Sequence, residues 1–462
     1  MATAPVIDPS NGQEIAQVTQ GSAADVDAAV QRAHQAHQAA VWRSVPAPER
    51  GRVLGRISAL VLDRSEQLAH LEATNAGKPI SAARGEIASV VRTFEYYAGA
   101  CDKVTGQTIP SSKDGTLLTF REPLGVCALI TPWNFPMVIL GWKVAPALAM
   151  GNTVVVKPAS ATPLTALALQ EICLEAGVPE GVVTVVTGAG REVGDALVRH
   201  DLVRKVGFTG STEVGAGIMR QAADRITRVS LELGGKSANL VFADADLDEA
   251  VGSSLWSALD NAGQDCCARS RMFVQAPVYD EFVARLTDAV RDLTMGPTLD
   301  ETTEVGPLIS TGQRESVERY LQIGLDEGAT LLTGGERPDG DLAAGSYLTP
   351  ALFADATPGG RLMTEEIFGP IVAVAPFETE EEAVALANGS IYGLSGSIWT
   401  LDARRALRVA RAVETGMLSV NSSSSAHIEA PFGGVKQSGL GREQGMVALE
   451  HYSELKTVFL AH

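Results

Sequence analysis

Cysteine and histidine are scarce in this chain of 462 residues. The five cysteines are odd in number and, apart from one adjacent pair, lie far apart in the sequence. Such usage is typical of a reducing compartment and argues against both a disulfide framework and a zinc site. The seven histidines form no cluster with ligand spacing, so we predict no metal site.

Positive charge and long apolar runs are also lacking. The formal net charge of -18 repels a phosphate backbone, so we expect no nucleic-acid partner. No apolar run reaches the roughly 18 to 20 residues of a membrane span, so we expect no membrane association. The start, MATAPVIDPSNGQEIAQVTQ, shows neither the basic nor the apolar region of an export signal. These features predict a soluble, globular, cytoplasmic protein.

Apolar periodicity changes along the chain. The first hundred residues carry apolar residues at helical spacing, as in AADVDAAVQRAHQAHQAA, and predict supporting helices. From Gly125 onward, short apolar runs such as GVCALIT and TVVVKP alternate with helical stretches, and a second such series begins near SANLVF. This alternation is typical of parallel sheets covered on both faces. We therefore predict an α/β fold with two lobes.

Two glycine-rich turns follow predicted strands. The segment VVTVVTGAGREVG offers Gly188, Gly190 and Gly194, with one residue too many for a dinucleotide fingerprint. The segment GFTGSTEVG sets small residues at a predicted helix start, where free N–H groups attract an anion. Either turn alone is compatible with a tight turn without a ligand. Two of them in one sheet favour a dinucleotide site.

Cys266 and Cys267 lie side by side in NAGQDCCARSR. Free cysteines are usually buried and inert. Gly263 and Gln264, just before the pair, predict a turn leading into a helix whose N-terminal amides would lower the pKa of a thiol. The local sequence thus makes either cysteine a candidate nucleophile and does not choose between them.

Three polar residues stand in or beside apolar segments. Lys157 ends the strand TVVVK, where it either meets a ligand at the sheet edge or emerges into water. Glu232 in LELGGK is either a partly exposed strand-end carboxylate or a general base whose pKa is raised by burial. Asn134 in TPWNFP is held stiffly between prolines and aromatics, which suits an oxyanion donor, although rigid loops also serve packing.

Together these segments resemble the aldehyde dehydrogenase superfamily. The resemblance rests on seven signatures in order: TPWNFP, VVVKPAS, GFTGSTEVG, LELGGKS, NAGQDCCARSR, EEIFGP and PFGGVKQSGLGRE. It implies a Rossmann-like cofactor domain, a second α/β catalytic domain and a small β oligomerisation element. It also implies NAD(P)-dependent oxidation of an aldehyde to the acid, through a thiohemiacetal and a thioester on cysteine.

The resemblance chooses between the two thiols. The family nucleophile lies two residues after the glutamine of the G-Q-x-C stretch, which here is Cys266, with Cys267 as a variable neighbour. The same matching makes Glu232 the general base and Asn134, with the backbone N–H of Cys266, the oxyanion hole. Glu443 in GRE matches a carboxylate with a supporting role in proton relay.

The resemblance also implies where a dinucleotide binds. Trp133 and Lys157 would lie near the adenosine, and Ser211 at the pyrophosphate. The turn GFTGSTEVG would then hold the phosphates, and GAGREVG would border the adenine. The full set of implied cofactor residues is Trp133, Lys157, Ser160, Gly190, Gly210, Ser211, Gly215, Leu233, Glu366 and Phe368.

One departure from the family pattern concerns the choice of dinucleotide. Many NAD-preferring members carry glutamate where this chain has Ser160, and that carboxylate repels the 2′-phosphate of NADP. Because Ser160 removes the repulsion while Lys157 remains, we expect the cofactor to be NAD or NADP, with NADP accepted at least as well as in the glutamate-bearing members.

The implied substrate is a small-molecule aldehyde. The residues implied to line its tunnel are Phe135, Trp142, Asp265, Cys267, His427 and Glu429. Aromatic walls with carboxylates favour an aldehyde that bears a cationic amine, as in the aminoaldehyde-oxidising members. Other aliphatic or aromatic aldehydes also fit, and a semialdehyde fits less well because no arginine stands out. Further alternatives are a non-redox cysteine acyltransferase or esterase, a CoA-acylating member, and a structural protein built on a retired enzyme fold.

The implied domains divide the chain into five segments. Residues 1–104 and 124–234 would form the dinucleotide-binding domain, and residues 235–452 the catalytic domain. Residues 105–123 and 453–462 would form the oligomerisation element, whose edge strand LKTVFLA invites pairing with a neighbouring subunit. A homodimer or homotetramer is expected.

Overall fold

The computed structural model describes residues 2–462. In chain order the strands are β1 (Thr3–Ile7), β2 (Glu14–Thr19), β3 (Thr108–Ile109), β4 (Gly115–Pro123), β5 (Val126–Ile130), β6 (Thr153–Lys157), β7 (Val183–Val185), β8 (Val203–Thr209), β9 (Arg228–Glu232), β10 (Ala238–Val241), β11 (Arg271–Gln275), β12 (Thr330–Thr333), β13 (Ala351–Ala354), β14 (Ile371–Phe377), β15 (Gly396–Trp399), β16 (Ser419–Val420), β17 (Gly439–Leu440) and β18 (Ser453–Ala461).

The α-helices lie mostly between these strands. They are α1 (Ala23–Gln38), α2 (Ala47–Asp63), α3 (Ser65–Ala76), α4 (Ile80–Ala100), α5 (Pro136–Ala149), α6 (Leu164–Glu175), α7 (Asp195–Val198), α8 (Thr212–Ala223), α9 (Leu247–Leu259), α10 (Tyr279–Arg291), α11 (Thr311–Asp326), α12 (Arg361–Thr364), α13 (Glu380–Asn388), α14 (Ala403–Ala412) and α15 (Val447–His451). Within residues 2–462, no helix combines the length and the apolar character that crossing a membrane requires.

The first large sheet has the order β17-β9-β8-β5-β6-β7 and is parallel except at β17. Its strands are rich in valine and buried on both faces, as expected of a parallel sheet between helices. Helices α2 to α6 pack on one face and α1 and α7 on the other. The predicted α/β fold is confirmed in this half of the chain.

The second large sheet has the order β12-β13-β14-β11-β10-β15-β16 and is parallel except between β12 and β13. Helices α9 and α10 cover one face, and α11 to α13 contribute to the core on the other. The second α/β lobe predicted from SANLVF onward is therefore confirmed as well.

A third, smaller sheet joins distant parts of the chain. Strand β4 lies between β3 and β18, and all pairings are antiparallel. These strands come from the two segments predicted to form the oligomerisation element, and the division into domains stays a prediction.

The first twenty residues correct one expectation. The sequence predicts helices throughout the first hundred residues, but β1 and β2 form an antiparallel hairpin before α1 begins. The chain turns near Gly12, where φ is 73°, and the segment after the turn pairs with the segment before it. The helical prediction holds from α1 to α4.

Candidate active site

Four neighbouring parallel strands of the first sheet end at one edge, and polar or aromatic residues follow each of them. Trp133 and Asn134 follow β5, and Lys157 ends β6. Ser211 follows β8, and Glu232 ends β9. The chain order reverses between β5 and β8, and such a switch point opens a crevice at the carboxyl ends of the strands.

Cys266 approaches this edge on a loop between α9 and β11. The backbone before it is unusual, because Asn261, Ala262 and Gly263 have φ angles of 50°, 54° and 70°. The left-handed region costs energy for residues that carry a Cβ. A Cβ on Gly263 would lie 2.3 Å from the Gly369 carbonyl oxygen, so only glycine fits. The surrounding structure therefore fixes the path of this loop.

Hydrogen bonds fasten the Cys266 loop to Asn134. Asn261 Nδ2 donates to the Asn134 carbonyl oxygen at 2.9 Å, and Asn134 Nδ2 donates to the Gln264 carbonyl oxygen at 2.9 Å. The Gln264 side chain accepts the backbone N–H of Ile309 at 2.8 Å. An amide nitrogen carries two N–H donors, so one donor of Asn134 remains for another acceptor. The amide is thus buried, oriented and incompletely used.

The thiol of Cys266 is half-buried, and Cys267 beside it is buried. A hydrogen bond with Cys267, burial, and the nearby charges of Asp265 and Glu366 raise the pKa of the Cys266 thiol well above its ordinary value. The sequence predicted a lowered pKa at a helix start, and this prediction is wrong. The segment instead runs through a turn into β11, so the thiol gains no helix dipole. The resting thiol is protonated.

The thiol of Cys266 lies in a cluster of three groups that can each carry a negative charge. An oxygen of Asp265 and the sulfurs of Cys266 and Cys267 lie within 4.8 Å of one another. Burial also raises the pKa of Asp265. A negative charge on Asp265 therefore disfavours ionisation of the Cys266 thiol beside it.

Glu232 is buried, and neither of its carboxyl oxygens has a hydrogen-bond partner among the described residues. Burial raises the pKa of Glu232 well above its ordinary value, and the charge of Glu443 raises it further. Lys143 and Arg442 oppose this effect. A buried carboxyl group that has a raised pKa and opens on a cavity is suited to proton transfer.

The signature PFGGVKQSGLGRE packs around Glu232. Its strand β17 pairs with β9 in a register that sets Gly439 opposite Glu232. A Cβ on Gly433 would lie 2.7 Å from Glu232 Oε1, so the glycine allows close approach. Glu443 of the same signature forms a buried ion pair with Lys143, with Nζ and Oε1 2.6 Å apart. The segment therefore forms a wall of the site and shapes its charge.

A cleft of about 210 Å³ lies at the strand ends. It is lined by several residues predicted to contact a dinucleotide: Trp133, Gly210, Ser211, Leu233, Glu366 and Phe368. Ser211 caps α8, and its side chain accepts the N–H of Val214 at 3.4 Å. The start of this helix offers the N–H groups and dipole that attract a phosphate.

Close packing keeps this cleft open. A Cβ on Gly215 would lie 2.4 Å from Leu233, so the first turn of α8 packs directly on the strand end. The Glu366 carboxylate accepts the N–H of Gly235 at 2.9 Å, and a Cβ on Gly234 would lie 2.2 Å from its other oxygen. The cleft thus combines a helix start suited to a phosphate with a fixed carboxyl group, and these groups fit part of a nicotinamide dinucleotide.

The remaining predicted cofactor residues lie outside this cleft. Ser160 lines a separate cavity of about 100 Å³, where its hydroxyl donates to the Gly188 carbonyl at 3.0 Å. Lys157 is buried and donates to the Pro158 carbonyl at 2.8 Å, and burial lowers its pKa to about 8. Gly190 begins an exposed π-turn. Their roles stay predictions.

A larger cavity of about 550 Å³ adjoins Cys266 on its other side. Four of the predicted substrate residues line it: Phe135, Trp142, Asp265 and Cys267. Sequence reasoning missed further lining residues, among them Glu86, Trp256, Asp260 and Phe432. Glu86 and Trp256 lie on helices, where their spacing indicates a helix face and carries no signal of the cavity that the face borders.

Two predicted substrate residues lie outside this cavity. His427 and Glu429 are exposed, and Glu429 pairs with Arg92 at 3.2 Å on the surface. Ser423 and Ser425 of the same segment line the cavity in their place. The segment turns outward after the serines, so the structure corrects the predicted wall at these two positions.

Comparison with known proteins gives a consistent result. A protein-family model described as the aldehyde dehydrogenase family matches residues 2–458. Betaine aldehyde dehydrogenase of Bacillus subtilis strain 168 is 42% identical over 456 residues, which are 98% of this chain and 93% of that protein. Retinal dehydrogenase 2 of Homo sapiens is 43% identical over 458 residues, which are 98% and 88% of the two chains.

A solved structure agrees over the whole chain. The crystal structure of betaine aldehyde dehydrogenase from Staphylococcus aureus in complex with NAD+ matches with a TM-score of 0.98 and 39% sequence identity. The match covers 100% of this chain and 92% of that one.

Proposed function

Because this chain belongs to the aldehyde dehydrogenase family, it oxidises aldehydes to carboxylic acids with a nicotinamide dinucleotide as hydride acceptor, and we propose that Cys266, Glu232 and Asn134 carry out the chemistry. The supporting observation is that Cys266 lines both the 550 Å³ cavity and the 210 Å³ cleft. A sulfur in that position can meet an aldehyde from one side and a nicotinamide from the other. Because the reaction of this family is an oxidation, family membership also excludes the alternatives of a non-redox acyltransferase or esterase.

The side chains have distinct roles in this proposal. The Cys266 thiol loses its proton to water as the sulfur bonds to the aldehyde carbon, and Cys266 holds this carbon first as a thiohemiacetal and then, at the oxidation level of the acid, as a thioester. Asn134 donates its unused N–H to the oxyanion. Bound in the cleft, the nicotinamide would supply the hydride acceptor. Glu232 removes a proton from the water that releases the acid.

Exchange of Glu232 for glutamine tests the base. We expect Glu232→Gln to lower kcat by about a hundredfold or more, because general-base catalysis typically contributes at least that factor. In this proposal Glu232 acts in hydrolysis of the thioester and not in loss of the thiol proton, so one equivalent of reduced dinucleotide should still appear in a burst at 340 nm. In the unmodified protein kcat should rise with pH, since the raised pKa of Glu232 keeps the base protonated at lower pH.

The exposed carboxylate Glu49 on α2 provides the control, and Glu49→Gln should keep both kcat and its pH dependence. A Glu232→Gln variant with full steady-state turnover, or one whose burst is lost together with turnover, would contradict the role of Glu232 in hydrolysis.

The cavity around Ser160 bears on the choice between NAD and NADP. The Staphylococcus aureus relative was crystallised in complex with NAD+, which supports NAD. No carboxylate lines the 100 Å³ cavity around Ser160 among the described residues, and Lys157 lies next to Pro158 of that cavity. Since nothing acidic there opposes a 2′-phosphate, we propose that NADP is used as well.

Ser160→Glu should shift the preference toward NAD. We expect kcat/KM for NADP to fall at least about tenfold while that for NAD changes little, because a carboxylate would repel the 2′-phosphate. In the unmodified protein, use of NADP should weaken relative to NAD as the pH rises through about 8, the pKa of Lys157, because the lysine loses its charge. Ser160→Ala is the matched control. An unmodified protein that favours NAD by more than about a hundredfold in kcat/KM would refute this part of the proposal.

The substrate proposed is an aldehyde with a cationic amine or quaternary ammonium group. Four aromatic rings and four carboxyl groups line the 550 Å³ cavity: Phe135, Trp142, Trp256 and Phe432, and Glu86, Glu232, Asp260 and Asp265. A ring face attracts a cation, and a carboxyl group that ionises beside the bound cation adds to that attraction. Relatives named betaine aldehyde dehydrogenase support the same class.

One observation favours a second substrate class. Arg269 also lines the cavity, and its Nη2 has no hydrogen-bond partner among the described residues. The rest of its guanidinium donates to Ser397 Oγ at 3.0 Å and to the Cys267 carbonyl at 3.3 Å. A semialdehyde could place its carboxylate beside the Arg269 guanidinium. The acidic groups that line the cavity outnumber this one arginine and oppose the binding of a carboxylate.

A pair of isosteric aldehydes separates these possibilities. We expect kcat/KM for betaine aldehyde to exceed that for 3,3-dimethylbutanal, its uncharged carbon isostere, by about tenfold or more, which corresponds to one desolvated cation–π contact. Trp256→Ala should reduce this ratio, and Trp256→Phe should keep most of it. Equal use of the two aldehydes, or a preference for succinic semialdehyde, would contradict the cationic substrate.

The small antiparallel sheet supports self-association. Strand β18 lies at its edge and leaves one row of backbone groups unpaired within the chain. Phe120 on β4 and Leu455, Phe459 and Leu460 on β18 are exposed. An exposed apolar edge strand favours pairing with another copy, so we propose a homodimer or homotetramer.

Charges on this strand should separate the subunits. We expect Leu455→Lys/Phe459→Lys to behave as a monomer in light scattering at concentrations where the unmodified protein is a dimer or tetramer. Leu407→Lys, an exposed apolar position on α14, is the matched control. A monomeric unmodified protein would refute self-association through this sheet.

A further inference from the structure

Lys78 is a fully buried lysine that the chemistry above does not use. It lies between α3 and α4 and has no exposed surface. Its Nζ donates to the carbonyl oxygen of Asn134 at 2.8 Å and pairs with Glu86 of α4. The same nitrogen lies 4.5 Å from the ring centre of Phe135. A helix-layer lysine thus reaches directly into the loop that carries the proposed oxyanion donor.

The backbone that carries Lys78 is firmly held. Gly77 has a φ of 79°, and a Cβ there would lie 2.5 Å from the ring of Pro9. After Lys78 and Pro79, the N–H of Ile80 donates to the Thr298 carbonyl at 2.8 Å. The lysine therefore extends from a base that packing and hydrogen bonding keep in place.

The Asn134 carbonyl is held from two sides. It accepts Lys78 Nζ from the helical layer and Asn261 Nδ2 from the Cys266 loop. A carbonyl oxygen has two lone pairs, and both are used. One turn later, Glu72 of α3 accepts the N–H of Met137 at 3.0 Å, which anchors the start of α5. The α3–α4 layer thus fixes the loop at two points.

We propose that Lys78 is a positioning residue that holds Asn134 with its free N–H directed at the developing oxyanion of the substrate. This rests on the proposed role of Asn134. The carbonyl and the side chain of Asn134 share one Cα, so rotation of the carbonyl moves the amide as well. A displacement of about 1 Å can cost about a hundredfold in rate when a catalytic group must meet a developing charge.

A double-mutant cycle tests whether Lys78 acts through Asn134. The variants are Lys78→Met, Asn134→Ala and the two combined. Lys103→Met removes an exposed surface lysine as the control. Lys78→Met leaves the buried Glu86 without its partner. A second comparison avoids this unpaired charge: the double variant Lys78→Met/Glu86→Gln is measured against Glu86→Gln alone.

Three measurements are made on each variant: kcat, the KM for aldehyde, and the rate at which iodoacetamide alkylates Cys266. Alkylation displaces iodide from a saturated carbon and forms no oxyanion, so it reports an intact thiol site without using Asn134. We expect Lys78→Met to lower kcat by about ten- to a hundredfold, with KM and alkylation changed by less than about threefold. In the Asn134→Ala background, the added Lys78→Met change should lower kcat by less than about twofold.

Distinct outcomes overturn the two proposals separately. If the losses of the two single variants multiply in the combined one, Lys78 acts independently of Asn134 and its positioning role is refuted. The same holds if alkylation falls in parallel with kcat in both Lys78 variants, since the lysine then only maintains the fold. If Asn134→Ala alone keeps full turnover, the oxyanion role of Asn134 fails, and the Lys78 proposal fails with it.

Discussion

The site depends on hydrogen bonds that connect the two large sheets. Asn134 and the loop that carries Cys266 each donate a hydrogen bond to the other. Asn134 follows a strand of the first sheet, and Cys266 precedes a strand of the second. Asn261 donates to the Asn134 backbone, and the Asn134 side chain donates back to the Gln264 backbone. Each loop fixes the other, so the distance between a nucleophile and a proposed oxyanion donor is set by contacts that neither lobe makes alone.

Burial and neighbouring groups shift the pKa values of this site. Burial raises the pKa of Glu232, and a hydrogen bond with Cys267 together with burial raises the pKa of the Cys266 thiol. The folded protein therefore disfavours ionisation of both groups. The buried pair of Lys143 and Glu443 behind Glu232 adds charges of both signs, which oppose each other's effect on that carboxyl group. Burial favours the uncharged forms of these groups, because a buried charge is costly.

The sequence predicts the fold well where local patterns decide it. Short valine-rich runs bounded by glycine and proline predict the parallel strands, and the signatures at their ends predict Asn134, Glu232 and Ser211 at one edge. The hairpin of β1 and β2 was missed because its few apolar residues are also compatible with a helix. The pKa of Cys266 was predicted with the wrong sign, since Asp265, Cys267 and Glu366 act through space and the following segment is a strand. Trp256 and Glu86 escaped prediction because a cavity between helices leaves no periodic signal in any one of them.

The order of the strands along the chain affects how the protein folds while the ribosome synthesises it. Strand β17 comes from residues 439–440 yet completes the first sheet beside Glu232, whose strand is synthesised some two hundred residues earlier. Until that late segment emerges, the edge of β9 and the carboxyl group at its end face solvent or other chains. An incomplete chain therefore leaves the Glu232 carboxyl group uncovered and the edge of the sheet open, and both are covered only after the end of the chain is synthesised.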